Sequence, residues 1–474
     1  MQLDSVNSVS ETENNAFWAV VREAFVGSTR DFTKGSIGVA IFILSVPMII
    51  EMFAESLFAL FDIFFVAHLG ADAVAVVGLT ESMMALVYAV AFGLAIGATA
   101  TVARRIGEKD LDGAAKTATH VLYLGVIVSI AMSIPGIILA PAILRILGAE
   151  PQVIEAGVTF MRIMLGCNAA VVFIFLLNAI FRGAGDAAIA MRVLWFANVL
   201  NIILAPCFIF GVAFFPQLGV TGAAVGTTLG RSAGVLYALW FLFRGEKRFE
   251  IHRDHWKLDP ELLVRIVKLS ATAVFQFLIG TASWSVLVRA VAGFGGVAIA
   301  GYVIGLRVIV FALLPALGLS NAAATLVGQN LGAGKPGRAE RSVWTASIVN
   351  AVIYGAIGLV FVFLAVPIVK IFTQDPEITG YAVSCLRIVS YGFLFYGFGM
   401  VLESAFNGAG DTWTPTYINL CLFWLFEIPL AYVLAYVFDL GPQGVFWAIM
   451  IAFSALAVVS ALLFSRGKWK LKKV

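Results

Sequence analysis

The sequence predicts an all-α polytopic membrane protein of twelve transmembrane helices, in two six-helix lobes related by an internal parallel repeat. Three observations predict it. Of 474 residues, 61% are hydrophobic and only 12% charged, with a mean hydropathy of +0.98. A soluble domain runs about 45–50% apolar and about 25% charged, so too little polar surface exists here to coat a water-soluble enzyme. Apolar runs that meet the roughly 20-residue need of a bilayer helix recur along the chain. Finally, motifs of the first half return in the second at one fixed offset.

Taken in order, residues 1–36 read as a cytoplasmic tail. Its first sixteen positions are polar and acidic, without the basic stretch and apolar core of a cleavable signal. Phe17, Val20, Val21 and Phe25 then fall at helical spacing, with Arg22 and Glu23 on the other side. They predict a short amphipathic helix, at the membrane surface or packed on the protein's own cytoplasmic face. The N-lobe, 37–244, has spans near 37–67, 72–103, 116–147, 152–182, 186–213 and 217–244. The C-lobe, 262–466, has spans near 262–292, 297–328, 341–372, 377–407, 411–438 and 442–466. Several exceed the bilayer's need and imply tilt or extension beyond the lipid. The polar stretch 245–261 links the lobes, and 467–474 is a basic tail.

Lysine and arginine set the direction of insertion. Arg104, Arg105, Lys109 and Lys116 lie between spans two and three, and Arg244, Lys247, Arg248, Arg253 and Lys257 between six and seven. Lys335, Arg338 and Arg341 follow span eight, and five basic residues from Arg466 to Lys473 close the chain. The alternate connections are nearly bare, so both termini are expected in the cytoplasm of a cell whose plasma (inner) membrane holds the protein.

Arg182-Gly-Ala-Gly-Asp186 recurs as Asn407-Gly-Ala-Gly-Asp411, an offset of 225 (407 − 182). The same shift takes Gly70 to Gly295, Gly107 to Gly332, Pro151 to Pro376, Arg162 to Arg387 and Gly219-Val220 to Gly444-Val445. Six spans per half is an even number, so both halves enter from the same side, as parallel repeats related by an axis along the membrane normal. Paired bundles of this kind are the frame of alternating-access transporters. The Arg182–Asp186 motif itself reads as a tight turn, with glycine at positive φ and aspartate capping the next helix.

Other chemistries find little support. Gly328 to Lys335 superficially suggests a phosphate loop, but the spacing is wrong and Pro336 stands where Ser or Thr is required. Without a nucleotide motif, transport has to draw on an ion gradient. Cys167, Cys207, Cys385 and Cys421 lie in apolar runs without metal spacing. His68, His120, His252 and His255 fall at loops or span ends, with no nucleophile or metal set around them. We therefore expect no enzyme activity and no cofactor. A net charge of +3 implies no nucleic-acid partner.

An intramembrane charge is costly and hence a functional candidate. At about 100° per residue, Glu51, Glu55 and Asp62 of span one lie within roughly 40° of each other and form one acidic stripe facing the bundle interior. Carboxylates crowded in a low-dielectric interior are suited to exchanging protons. A structural pairing with Arg231 or Arg307 is the competing reading. Asn198 and Asn201 share a face of span five, with Pro206 beyond, and can hold a carboxylate or serve as interhelical glue. Thr227 and Thr228 of span six are weaker candidates. In the C-lobe, Glu51 corresponds to Gln276 but Asp62 to Leu287, so the stripe is absent. Glu403, Glu427 and Tyr396 stand there instead, which suggests ion coupling mainly in the N-lobe and substrate contacts shared with the C-lobe.

The chain resembles the multidrug and toxic compound extrusion family over nearly its whole length. The resemblance rests on Pro47 leading to Phe61-Asp62-Ile63-Phe64-Phe65-Val66, on Leu69 to Gly78, Gly107-Glu-Lys-Asp110, and Arg182-Gly-Ala-Gly-Asp186. It also rests on Asn201 with Pro206 and Gly211, and on Ile428-Pro429-Leu430-Ala431-Tyr432. The resemblance implies a cation-coupled antiporter exporting amphipathic, often cationic organic compounds in exchange for protons or sodium, with Asp62 and Asn201 in the coupling network; we expect it to function as a monomer. Relatives with the fuller network carry a second aspartate four residues after that asparagine. Here the position is Ala205, and Glu55 or Glu51 stands as the candidate substitute. The acidic pair of the sodium-coupled, NorM-like branch is not evident in the second lobe, which favours the DinF-like branch and protons over sodium. A lipid-linked oligosaccharide flippase of the same superfamily is the alternative; its cationic cavity contrasts with the acidic span one here.

Overall fold

The computed structural model describes residues 17–212, 214–244 and 249–472. The acidic start of the chain, part of the inter-lobe stretch and the last two residues of the basic tail lie outside the described residues. Among the described residues all regular structure is helical. Helix α1 covers 17–26. The N-lobe follows as α2 (Ile37–Ala67), α3 (Ala71–Glu108), α4 (Leu111–Ile146), α5 (Pro151–Gly166), α6 (Ala169–Ala184), α7 (Ala187–Phe210) and α8 (Val220–Arg244). The C-lobe comprises α9 (Pro260–Ala292), α10 (Gly296–Gly332), α11 (Pro336–Lys370), α12 (Pro376–Ser390) and α13 (Phe393–Gly408). It ends in α14 (Trp413–Val437) and α15 (Pro442–Ser465).

Ten of these segments are long and apolar enough to cross a membrane, with α5 and α6 counted as one span, Pro151–Ala184. The pair α12 and α13, bent by 57°, adds an eleventh. At 25 residues, α8 is the twelfth; its glycines, threonines and Arg231 dilute its apolarity. Helices α3 and α10 outrun the expected spans because they continue through polar turns beyond the lipid. Lys109, at φ 62, ends α3. In α14 the helix widens to π turns at Leu420–Glu427 and Val433–Val437. Pro429 between them lacks the N–H that a regular α-helical ladder needs.

The repeat is visible in three dimensions. Arg162 Nε donates to the Ile137 carbonyl at 3.2 Å, and Arg387 Nε to the Val362 carbonyl at 3.1 Å, each partner displaced by 225 (387 − 162, 362 − 137). The lobes meet through glycines that obey the same shift. Gly93 lies against Val274 and its counterpart Gly318 against Ile49. Gly107 lies against Gln329, and its counterpart Gly332 against Arg104. Each contact thus has a mate across a pseudo-two-fold axis. These contacts lie toward the end of α3 and α10 that carries the basic connections. At the opposite ends of those helices, Gly78 and Gly296 face open space.

Both described chain ends fasten that sealed end. Arg338 donates to the carbonyls of Phe32, Lys34 and Gly35, and Lys335 Nζ to that of Thr33 at 2.9 Å. Arg104 donates to the Lys472 carbonyl, Lys472 Nζ pairs with Asp411 at 3.1 Å, and Trp469 is fully buried. Helix α1 buries Ala24 while Phe17, Trp18 and Phe25 remain exposed, and Phe17 meets Phe42 of α2. The inter-lobe stretch folds onto α4: His255 pairs with Asp112 at 2.7 Å, and Thr119 donates to the His255 carbonyl.

Candidate functional site

A ladder of small residues positions the N-lobe cluster. Gly222, Gly226, Gly230 and Gly234 recur every fourth residue of α8, and each touches α7, a spacing that brings two helix backbones close. The close approach places Thr227 beside Asn201, whose amide donates to the threonine hydroxyl at 2.9 Å. It also buries Ala205, which lies against Gly226. One residue beyond Gly230, Arg231 reaches back to α2, where its Nη2 meets Glu55 Oε1 at 2.6 Å. Its guanidinium covers the Phe58 ring at 4.9 Å. Asn198 Nδ2 donates to the other Glu55 oxygen at 3.3 Å.

The acidic stripe of span one divides between partners. Glu51 is turned to α6, where Arg182 Nη1 lies 3.1 Å and Asn178 Nδ2 3.0 Å from its Oε1. Glu55 faces α7 and α8. Asp62 sits two turns further on with an enclosed Oδ1 that accepts no hydrogen bond; Glu81 and Arg231 are its charged neighbours. Glu51 and Glu55 are thus both ion-paired, Glu55 with Arg231 and Glu51 with Arg182. Asp62 alone keeps an uncommitted carboxyl.

A cavity of about 440 Å³ lies between the lobes. From the N-lobe it is bounded by Met52, Phe92, Ile96, Thr99 and Arg182, and from the C-lobe by residues of α9, α10, α13, α14 and α15. Gln276, Tyr396 and Glu403, expected as substrate contacts, line it. Glu427 does not: it is fully buried beside a smaller apolar void that Tyr396 and Trp284 also line, with Ser283 Oγ 3.5 Å from its Oε2. None of Glu51, Glu55, Asp62, Asn198 and Asn201 borders the main cavity, so the two candidate sites are separate. Phe92, Phe277, Trp284, Phe423 and Phe453 make much of its wall aromatic. Gln276, Glu403, Asn407 and Asn419 add polar side chains to this wall, each with one oxygen enclosed by protein and without a hydrogen-bond partner.

Sequence reasoning missed Arg182, Asn178 and the wall aromatics. The turn that the Arg182–Asp186 motif predicts exists, as does its repeat, with Gly185 at φ 87 and Gly410 at φ 81. The arginine nevertheless points into the core, and Asp186 does not cap α7 with its side chain. The available signal was an arginine in an otherwise apolar run with a carboxylate to neutralise, a pairing that burial demands.

Comparison with known proteins matches this arrangement. The MatE family model fits the chain twice, over residues 47–207 and 272–433, and the two starts are 225 apart (272 − 47). The probable multidrug resistance protein NorM of Thermotoga maritima is 26% identical over 438 residues, 91% of this chain and 93% of its own length. The multidrug export protein MepA of Staphylococcus saprophyticus is 25% identical, covering 91% of this chain and 94% of that protein. A solved outward-facing multidrug resistance MATE transporter of the MOP superfamily superposes with a TM-score of 0.87 at 27% identity, over 92% of this chain and 97% of that one. These relatives do not assign the chain to either branch of the family. With a twice-matched family model, a two-lobed helical fold and a cavity at the lobe junction, the chain belongs to the MatE family of membrane transporters.

Proposed function

We propose that the chain is a proton-coupled antiporter that exports amphipathic, cationic organic compounds from the cytoplasm by alternating access. The observation that carries this reading is the Glu403 side chain on the wall of an aromatic-lined cavity between the lobes. Aromatic faces attract organic cations, and a carboxylate supplies the counter-charge. Sequence relatives named for multidrug resistance and export support a small organic substrate. The protein works as a monomer, with the bilayer as its setting and both termini on the cytoplasmic side. The glycine seal then closes the cytoplasmic end, and the form described here faces outward.

Coupling is assigned to Asp62 with Glu55, Asn198 and Asn201 around it, and Glu51 as the link to the cavity. Protonation of Asp62 from outside neutralises it and favours repacking of α2 and release of the compound; deprotonation toward the cytoplasm restores the charge. One proton crossing 100 mV supplies about 2.3 kcal/mol, enough for roughly 50-fold accumulation. Sodium is the alternative ion, and the DinF-like branch the expected placement.

The test is proton release on addition of an organic cation to the purified protein. Release is expected from the wild type and none from Asp62→Asn, while Glu403→Gln weakens binding of the cation without abolishing release at saturation. Undiminished release from Asp62→Asn would refute the assignment.

A further inference from the structure

We propose that Arg231 is the ion-specificity determinant of the coupling site: a resident guanidinium holding the place of a metal cation between Glu55 and Asp62, so that the proton is the ion exchanged there. The inference rests on the assignment of ion coupling to the Asp62 cluster.

Three observations carry it. The Arg231 side chain is 2% exposed and bound to Glu55 at 2.6 Å, yet its Nε and Nη1 have no partner. Its guanidinium lies over Phe58, and Glu55, Phe58 and Asp62 follow one another along one face of α2 at spacings of three and four residues. The cation is therefore flanked by one carboxylate that it holds and another, Asp62, whose enclosed oxygen is idle. Third, the side chains grouped here are oxygen and amide donors: Glu55 and Asp62 from α2, Asn198 of α7, which donates to Glu55 at 3.3 Å, and, about one helical turn away, the Asn201–Thr227 pair that joins α7 to α8. Oxygen sets of that kind suit hard metal cations. Glu81 and Tyr88 of α3 also face the cluster, and Arg307 of α10 faces Glu81.

An arginine is effectively always charged. Inside this set it supplies the positive charge that two carboxylates would otherwise draw from a metal ion, and it fills the volume such an ion needs. A proton needs no coordination sphere, because it bonds to one oxygen of Asp62. When Asp62 is protonated, Arg231 stays on Glu55. When the proton leaves toward water, the idle donors of Arg231 can take the new carboxylate. Specificity would thus come from a salt bridge that alternates along one helix face.

The experiment uses the full chain in liposomes, with ethidium as transported cation and imposed pH or sodium gradients, together with equilibrium binding of ²²Na⁺ to detergent-purified protein. Wild type and Arg231→Lys are expected to be driven by the pH gradient and to bind ²²Na⁺ at background. Arg231→Gln is expected to bind ²²Na⁺ saturably, at least tenfold above wild type, with competition by protons and loss of binding in the double variant with Asp62→Asn. If Arg231→Gln binds no sodium while the wild type is proton-driven, the inference falls and the proposed function stands. If the wild type is itself sodium-driven, the proton reading falls and the inference with it. Glu55→Gln decides the case should Arg231→Gln fail to fold. With its first partner removed, Arg231 is expected to stay on Asp62 and to cut substrate-induced proton release at least fivefold, with ²²Na⁺ binding still at background. A Glu55→Gln protein with wild-type proton release would overturn the inference.

Discussion

Adding one methyl group at Gly332 should open the sealed end of the molecule. A Cβ built at Gly332 would lie 2.9 Å from the Glu108 amide nitrogen and 3.0 Å from Gly107 Cα, and closer still to the Arg104 carbonyl. At Gly107 the corresponding Cβ would lie 2.7 Å from the Gln329 carbonyl carbon and 2.8 Å from its Cα. All these obstacles are backbone atoms of the opposite lobe, so no side chain can rotate away and the helices themselves have to separate. Overpacking of this kind costs about 1–3 kcal/mol. The cost falls on the state in which the lobes touch and is absent where they part. It therefore appears as a shift of about 5- to 150-fold in the ratio of open to sealed forms at that end, at 1.4 kcal/mol per tenfold. Gly296, at the other end of α10, meets nothing within 4 Å, and Gly296→Ala is the control. Spin labels at Lys109 and Arg341, one on each lobe at the sealed end, report the separation by double electron–electron resonance. The expected result is a longer-distance population for Gly332→Ala and Gly107→Ala, and none for Gly296→Ala. Identical distance distributions for all three and the wild type would refute the claim that glycine contacts hold the seal.

Arg182→Met strands Glu51 in the core and should lower stability by about 3–5 kcal/mol, whereas the double variant Arg182→Met/Glu51→Met should recover most of that loss; a thermal-unfolding double-mutant cycle measures both. Asp259, which accepts from Lys116 Nζ at 2.8 Å and from two backbone amides at the start of α9, is held at about 2 by those hydrogen bonds, the lysine first. Its folded value lies below the unfolded value of about 3.9, so its stabilisation is present above that pH and fades as pH falls toward 2. Asp259→Asn should raise intrinsic-rate-corrected hydrogen exchange at 261–264 near neutral pH, and the difference from wild type should shrink below pH 4.

Span limits were legible because bilayer burial is a coarse filter: Ile37–Ala67 and Pro442–Ser465 fall within a residue of the apolar runs that predict them. The repeat was legible because turns such as Gly185 and Gly410, both at positive φ, tolerate little change. Where polar helix extensions outlast the lipid, as at Arg104 to Glu108, hydropathy stops too early. At the site, Glu55, Asn198 and Asn201 stood out because few polar groups interrupt spans one and five, and the structure joins them to Arg231 and Thr227. Partner choice was beyond reach. Helical periodicity places Glu51 and Glu55 within about 40° of each other, which is too near to reveal that one turns to α6 and the other to α7 and α8. The cavity aromatics were hidden for a different reason. Among 39 phenylalanines, Phe92, Phe277, Phe423 and Phe453 carry no local mark, and only the meeting of α3, α9, α14 and α15 brings them onto one wall.

The two sites are separate, yet one helix serves both. Met52 of α2 lies on the cavity wall, and its neighbour Glu51 holds Arg182, which lines the same cavity. One turn on, Glu55 is held by Arg231, and two turns further stands Asp62, about 16 Å from Glu51 at 1.5 Å per residue. On the proposed assignment, direct attraction between Asp62 and a cation in the cavity over such a distance would be weak beside the contacts that cation would make with Glu403 and the aromatic wall. Coupling by charge alone would therefore be inefficient. A helix bonded at both levels behaves differently, because its residues move together. If a change of charge at Asp62 repositions α2 against α7 and α8, Met52 and the Glu51–Arg182 pair have to move with it, and the cavity changes shape. The buried pair then has a role beyond stability: it ties α2 to α6 at the cavity, so that an event in the interior of the N-lobe would be felt at the proposed substrate site.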